Sequence, residues 1–441
     1  MEKLGFFGGE KAISVPFPHW EWNWCPATEE EIKAVINQMR FGKLNGNGYP
    51  DIVSTFEQNF SDYHGVNFSL IMSSGTSSIH SAFFALGIGP GDEVLAPTLT
   101  FPATATPILH VNAIPVLCDC LPDTGTIDPA EIERKISKRT KAIIITHLWG
   151  HPCEMDEIIE IATKNNLFLI EDCSHAHGAK YKGKLVGTFG DIGCFSLDSQ
   201  KMMASGEAGV LVTNNRKLFE RALLFSDFGP RIKAELTIPE YKRFNMTGYG
   251  LKYRVHPLAA AIANEKLIKL DWLNSNRNRL LNSLSEKISN LPGLRPPVTR
   301  DYVYRGAFFG YKPFYKSEEL NDLPMDAFIK VMEAEGMDIR QTGTPPLHLL
   351  ELFKSPEDGM YKNHCPRKCS LVKRTYVYKQ GDLPKSEQFI KGTFSLPTFT
   401  FEHQKELIDL YATAFQKVTQ YLAEASPAEI KKITKEVNRG F

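Results

Sequence analysis

No run in this sequence approaches the roughly 20 apolar residues needed to cross a bilayer as a helix. The opening segment, MEKLGFFGGEKAISVPFPHW, also lacks the apolar core of a secretory signal. A cytoplasmic, reducing location is therefore the expectation. Excess charge is missing too: 51 Lys+Arg balance 51 Asp+Glu, so neither nucleic acid nor a membrane surface is expected as a partner. Cysteine is sparse, with eight spread over 441 residues, which excludes a small disulfide scaffold. Cys365 and Cys369 flank a loop beside His364, but no second ligand pair follows at usable spacing, so no metal site is expected. Repeats and low-complexity stretches are absent. Asp227-Phe228-Gly229 has neither the glycine-rich loop nor the catalytic loop of a kinase, and Asn45-Gly46-Asn47-Gly48 is a turn signal.

What is present is an ordinary globular mixture, 42% hydrophobic and 23% charged. The length allows one large α/β domain and a smaller one. Short apolar runs at 68–72, 93–96, 114–118, 142–146, 167–171, 192–196 and 209–213 read as strands. Helical patterns at 77–87, 128–136 and 155–165 lie between several of them. This alternation predicts βαβ units and a mainly parallel, seven-stranded sheet flanked by helices. Near-continuous apolar strands such as AIIIT and LFLIE suggest that both faces are covered. Residues 258–284 read as a long helix, and SNLPGLRPP after it as a hinge. The expected division is an N-terminal arm and large domain over 1–285 and a smaller α+β domain over 286–441, with a helix at 402–423.

Ligands of such sheets gather at the C-terminal ends of the strands, and three ends here carry suitable chemistry. SSGTSS at 73–78 follows a strand and opens a helix. Gly75 permits close backbone approach, Thr76 adds a hydroxyl, and the helix start favours a phosphate. An ordinary N-cap would use the same residues. Asp172 ends a second strand, where a buried carboxylate needs a cationic or hydrogen-bonding partner, such as a protonated pyridine nitrogen. His175 stands three residues on, within range of a ring oxygen, and His177 reads as structural. Ser196 ends a third strand, placed for phosphate, and Lys201 follows with Met202, Met203 and Ala204 behind it. An amine in that setting is partly desolvated, which suits imine formation; the alternative is a lysine lying along a core strand. Anchor, strand-end aspartate and apolar-flanked lysine, in that order on one sheet, are the parts a pyridoxal phosphate enzyme needs.

Three segments, PGDEVLAPTLTFPATA, IEDCSHAHGA and GDIGCFSLDSQKMMASGEAGVLVTNN, resemble the DegT/StrS-type sugar aminotransferases. The resemblance runs from about residue 20 to about residue 420. It implies a fold-type I pyridoxal phosphate transferase working as a homodimer with shared active sites. Donors would be glutamate or glutamine, and the acceptor a keto sugar or cyclitol ketone. Lys201 matches the Schiff-base lysine, Asp172 the partner of the pyridine nitrogen, and His175 the residue near the ring hydroxyl. Phe101 matches the aromatic stacked on the ring, while Gly75, Thr76 and Ser196 match phosphate contacts. In GLKYRVHP, Lys252 stands where the family usually has an asparagine reaching the partner subunit's phosphate. Asp198-Ser199 replaces the His-Pro of many nucleotide-sugar members, and Gly206-Glu207-Ala208-Gly209 replaces Gly-Glu-Gly-Gly. With the FFGGEK opening, these departures point toward branches acting on cyclitols such as inososes, or forming aminohydroxybenzoate. Segments 344–350 and 395–399 are expected to help enclose substrate, with His348 as a contact. Two rivals remain. One is a sugar dehydratase on the same fold, whose relatives carry His in place of the lysine; the other is a non-catalytic relative, disfavoured by retention of Lys201, Asp172 and His175 together.

Overall fold

The computed structural model describes residues 2–14, 26–45, 51–343, 345–355, 366 and 376–437. The loop with His364, Cys365 and Cys369, Gly46 to Gly48 of the turn signal, and Thr344 lie outside the described residues. Its centre is a seven-stranded sheet, whose strands we label β1 (Phe68–Met72), β2 (Glu93–Pro97), β3 (Ile114–Cys118), β4 (Thr140–Thr146), β5 (Phe168–Asp172), β6 (Ile192–Ser196) and β7 (Gly209–Thr213). The spatial order is β1-β7-β6-β5-β4-β2-β3. Strands β6, β5, β4, β2 and β3 pair in parallel, and β7 alone runs against its two neighbours. Every residue of β2, β3 and β7 is buried, as expected of strands covered on both faces. One face packs Leu70, Ile144, Ile170 and Leu211 against helices α3 (Gly75–Leu86) and α5 (Arg216–Ser226). On the other, Ile71, Phe195 and Val210 meet α2 (Ile52–His64) and the long helix α6 (Pro257–Ile288). Helix α1 (Glu29–Phe41) lies along α6, and α4 (Met155–Lys164) packs on the flank with Ile143 and Ile145 of β4.

Helix α6 (Pro257–Ile288) starts where Pro257 fixes the first turn and the His256 ring accepts the Leu258 amide. Its 32 residues make a rod of about 48 Å. Ala260, Ala263, Leu267, Leu270 and Leu273 belong to the sheet's core. Leu280, Leu281, Leu284 and Ile288 belong to a second core, with Phe328, Phe394, Tyr411 and Phe415. Two-residue ladders (Leu294–Arg295 with Phe314–Tyr315, Arg340–Gln341 with Phe394–Ser395) and helices α7 (Met325–Ala334), α8 (Lys405–Glu424) and α9 (Pro427–Val437) frame that core. Leu4 and Ile13, from the start of the chain, are buried in it as well. Glu335 pins this N-terminal segment: its carboxylate accepts the Gly5 amide at 2.7 Å and the Ala12 amide at 3.0 Å, and pairs with the Lys417 ammonium at 2.9 Å.

Candidate active site

Strands β1, β2, β4, β5 and β6 end on the same side of the sheet, and their C-terminal ends border one cavity of about 590 Å³. Gly75, Thr76, Phe101, Asp172, His175, Ser196 and Lys201, seven of the residues expected from sequence, line it. Lys252 does not: it sits on an exposed loop with φ of 55°, beside the exposed side chains of Tyr249 and Leu251.

At the first strand end, Ser74 caps α3, its hydroxyl accepting the Ser77 amide at 3.0 Å. The Gly75 and Thr76 amides precede the first intrahelical bonds, so they point outward at the positive end of the helix. The loop lies hard against its neighbours. A Cβ on Gly75 would stand 2.7 Å from Ser196 Cβ, and one on Gly209 would stand 2.2 Å from the Ser74 carbonyl oxygen. Glycine at both positions lets the helix start, β6 and β7 form one tight cradle.

Glu171 and Asp172 face opposite sides of β5, as adjacent strand residues must. Glu171 is fully buried and fully used: Phe189 and Gly190 donate amides to one oxygen at 2.7 Å, Gly187 to the other at 2.7 Å, and His147 Nε2 lies 3.1 Å from that second oxygen. Cys173 stands near this pair, but the carboxylate's bonds are already committed. Asp172, only 4% exposed, turns to the cavity. The Thr104 hydroxyl donates to its Oδ2 at 2.6 Å and the Ser174 amide to its Oδ1 at 3.1 Å. Behind Thr104, the hydroxyls of Thr100 and Thr146 continue the chain at 2.6 Å and 2.9 Å.

Lys201 sits in a turn, with its amide bonded to the Asp198 carbonyl, while Met202 and Met203 are buried behind it. Its Nζ lies 4.3 Å from the centre of the Phe309 ring. Burial holds this amine below the usual lysine range, opposed by the negative charges of Asp172 and Asp198. The His175 ring stacks flat on this same Phe309 ring, the centres 4.3 Å apart at an interplanar angle of 10°. Burial first, then the Lys201 charge, hold His175 well below the ordinary histidine value, so it is neutral at physiological pH. The arrangement therefore offers a desolvated amine, a buried carboxylate fixed by hydroxyls, and an anion cradle, all facing one space.

Comparison with known proteins gives this geometry a family. The model of the DegT/DnrJ/EryC1/StrS aminotransferase family matches residues 26–374. The chain belongs to that family. A putative L-glutamine:3-amino-2,3-dideoxy-scyllo-inosose aminotransferase of Micromonospora echinospora is 33% identical over 359 residues, 81% of this chain and 84% of that protein. The L-glutamine:2-deoxy-scyllo-inosose aminotransferase of Streptomyces fradiae is 32% identical over 429 residues, 96% of this chain and 98% of its own. The solved structure of S. venezuelae DesV in complex with a ketimine intermediate superposes with a TM-score of 0.71 at 26% identity, covering 90% of this chain and 95% of that one.

This DegT/StrS-family aminotransferase is thus a fold-type I α/β transferase, and family membership implies pyridoxal phosphate. The residues fit that cofactor: the cradle at Gly75 and Gly209 has no room for a side chain, and its amides suit a phosphate. The structure also brings in residues that sequence reasoning passed over. Trp149 follows the end of β4 with φ of 50°, unusual for a bulky residue, and the strand-end rule alone would have drawn attention to HLWG. Phe309, Lys312 and Ile390 reach the cavity from the C-terminal part of the aminotransferase, where no local motif marks them. His348, expected to contact substrate, does not line the cavity. It is fully buried, its ring held between the Thr98 hydroxyl at 2.8 Å and the Glu387 carboxylate at 3.0 Å. No described helix is long and apolar enough to cross a membrane.

Proposed function

We propose that this aminotransferase holds pyridoxal phosphate on Lys201 and carries the amino group of glutamine or glutamate to the ketone of a cyclitol or a related keto sugar. The observation that carries this reading is the convergence of Lys201, Asp172 and His175 on the one cavity that the start of α3 also borders. When bound, the cofactor would supply an aldehyde carbon to take up the donor's nitrogen and a pyridine ring to hold the electron pair left on the donor's Cα.

This chain's residues supply the rest. The Gly75 and Thr76 amides and the Ser196 hydroxyl would hold the phosphate, and Phe101 would cover a ring face. The Asp172 carboxylate would keep a proton on the ring nitrogen, with Thr104 fixing its second oxygen. Neutral His175, steadied by Phe309, would donate to the ring oxygen. Once displaced by the donor, the Lys201 amine, partly desolvated, would move a proton between the donor's Cα and the cofactor's C4′ as acid and base.

The named activities of the two inosose aminotransferases support the cyclitol acceptor and the glutamine donor. Asp198 in place of a family histidine is a further difference from many nucleotide-sugar enzymes. Phe101 is 63% exposed in the single chain despite lining the cavity, and Lys252 is exposed on a loop beside Tyr249. Both suit a homodimer in which Lys252 reaches the partner's phosphate. Cys118, Cys120, Cys153, Cys173 and Cys194 are free and buried, in keeping with a reducing cytoplasm.

The test starts from the enzyme loaded with the amine form of the cofactor. It is mixed with inososes, nucleotide-linked keto sugars and small phosphorylated ketones while the absorbance is followed. Reversion to the aldehyde form with an inosose is the expected result; reversion only with nucleotide-linked sugars would replace the cyclitol reading. Lys201→Ala should abolish both the lysine-bound absorbance and turnover, and normal turnover in that variant would end the proposal.

A further inference from the structure

Two lysines with largely buried side chains outside the cavity have carboxylates beside them. Lys266, 3% exposed, pairs with Glu31 at 3.2 Å, and Lys417 pairs with Glu335 at 2.9 Å. Lys312 breaks the pattern. It borders the cavity, yet among the described residues no carboxylate lies within 4.0 Å of its Nζ. Its ammonium instead donates to the Ser395 hydroxyl at 2.5 Å and lies 5.3 Å from the Trp149 ring centre. Burial, with the Arg340 charge added, lowers its pKa to about 8. A cation enclosed without a counter-ion is costly, so a site of this kind is completed by an anionic ligand.

The position narrows which anion. The phosphate cradle belongs to the start of α3, whereas Lys312 is brought to the same cavity by the C-terminal part of the chain. Lys312 Nζ stands by the Trp149 ring, the Trp149 amide donates to His175 Nδ1 at 3.4 Å, and His175 stacks on the Phe309 ring that Lys201 Nζ faces, so an anion on Lys312 lies on the same wall as the reacting amine. Trp149 lies beside it, and Phe309 and Ile390 add apolar surface to the same cavity. An inosose has no charge to offer there. An amino acid whose Cα must stand over Lys201 carries its α-carboxylate one bond away.

We propose that Lys312 binds the α-carboxylate of the amino donor and is a specificity-determining residue for the donor half of the reaction; this rests on the transamination reading above. A bidentate guanidinium is not required, because one ammonium held by Ser395 against an indole face is a point charge matched to a single carboxylate.

The experiment uses holoenzyme with Lys312→Met, Lys312→Gln and Lys312→Arg, each checked for the wild-type absorbance of bound cofactor. L-Glutamine is titrated against the aldehyde form, and an inosose against the amine form. Loss of one charge-assisted contact should weaken L-glutamine about 10- to 100-fold in the Met and Gln variants, with partial recovery in the Arg variant. The inosose half-reaction should keep its wild-type concentration dependence. The decarboxylated donor analogue 4-aminobutanamide should bind wild type and Lys312→Met alike, since it has no α-carboxylate to lose. Unchanged L-glutamine affinity in both neutral variants would overturn the proposal. So would weakening confined to the inosose half-reaction, which would assign the anion to the acceptor. Should wild type itself show no spectral response to any amino acid, the transamination reading fails, and that failure is separable because it needs no variant.

Discussion

Replacing Thr104 with Val keeps the side chain's shape and removes one hydroxyl. That hydroxyl is fully buried and donates to Asp172 Oδ2 at 2.6 Å, and Asp172 itself is 4% exposed. Valine fills the space the hydroxyl leaves, and among the described residues the remaining donor to the carboxylate is the Ser174 amide on the other oxygen. A hydrogen bond to a charged group contributes about 1.5–3 kcal/mol, and leaving one oxygen bare in a buried site forfeits most of it. Expressed at the cofactor's ring nitrogen, a loss of that size corresponds to a donor half-reaction slowed about 10- to 100-fold, since about 1.4 kcal/mol is one decade in rate. The assay is stopped-flow absorbance after mixing the aldehyde form of the holoenzyme with L-glutamine, with cofactor retention after dialysis measured alongside. Thr104→Ser should restore most of the rate because it returns the hydroxyl. Thr419→Val is the control: that hydroxyl is also buried but has no hydrogen-bond partner among the described residues, so its removal should leave stability unchanged or raised. A Thr104→Val enzyme with wild-type half-reaction rate and retention would refute the view that the threonine network tunes Asp172.

Gly209→Ala should cost cofactor affinity more than fold. The new methyl would stand 2.2 Å from the Ser74 carbonyl oxygen and 2.4 Å from the Gly75 nitrogen, forcing the cradle open; equilibrium dialysis with pyridoxal phosphate that shows wild-type binding would contradict this. Acid should destabilise the protein through buried histidines. Burial lowers His64 to about 4 and His151 and His177 to about 3, so the unfolded chain takes up protons that the folded chain refuses. Their stabilising contribution is complete above the ordinary histidine value and is lost as pH falls below it toward 4, at up to about 1.4 kcal/mol per histidine per pH unit. Urea midpoints that stay level between pH 7 and pH 5 would exclude that linkage.

The sheet was legible because its strands are short apolar runs with helical spacing between them. Four of the seven, at 68–72, 114–118, 192–196 and 209–213, have the boundaries read from the sequence. Strand β4 begins two residues earlier than read, at Thr140, because exposed Lys141 breaks the apolar run at a point where the ladder to β2 shifts register, from Glu93 with Thr140 to Val94 with Ala142. Site residues were legible where chemistry stands at a strand end, as for Asp172, Ser196 and the turn to Lys201. Thr104 was not, since its function depends on three strand ends meeting, and a threonine within FPATAT carries no sign of that. Lys312 and Phe309 were equally hidden: they lie more than 100 residues from Lys201 in sequence and reach it only through the packing of the C-terminal core. His348 was expected as a substrate contact because its segment, 344–350, was expected to help enclose substrate, whereas Thr98 and Glu387 hold its ring in the interior.

Helix α6 has a mechanical consequence. One uninterrupted rod contributes side chains to both apolar interiors, its first half to the sheet and its last turns to the C-terminal body. Bending between the two bodies would require breaking that rod in mid-course. Access to the cleft is therefore set by the side chains that line it, Trp149 and Ile390 among them, and not by a hinge in the rod.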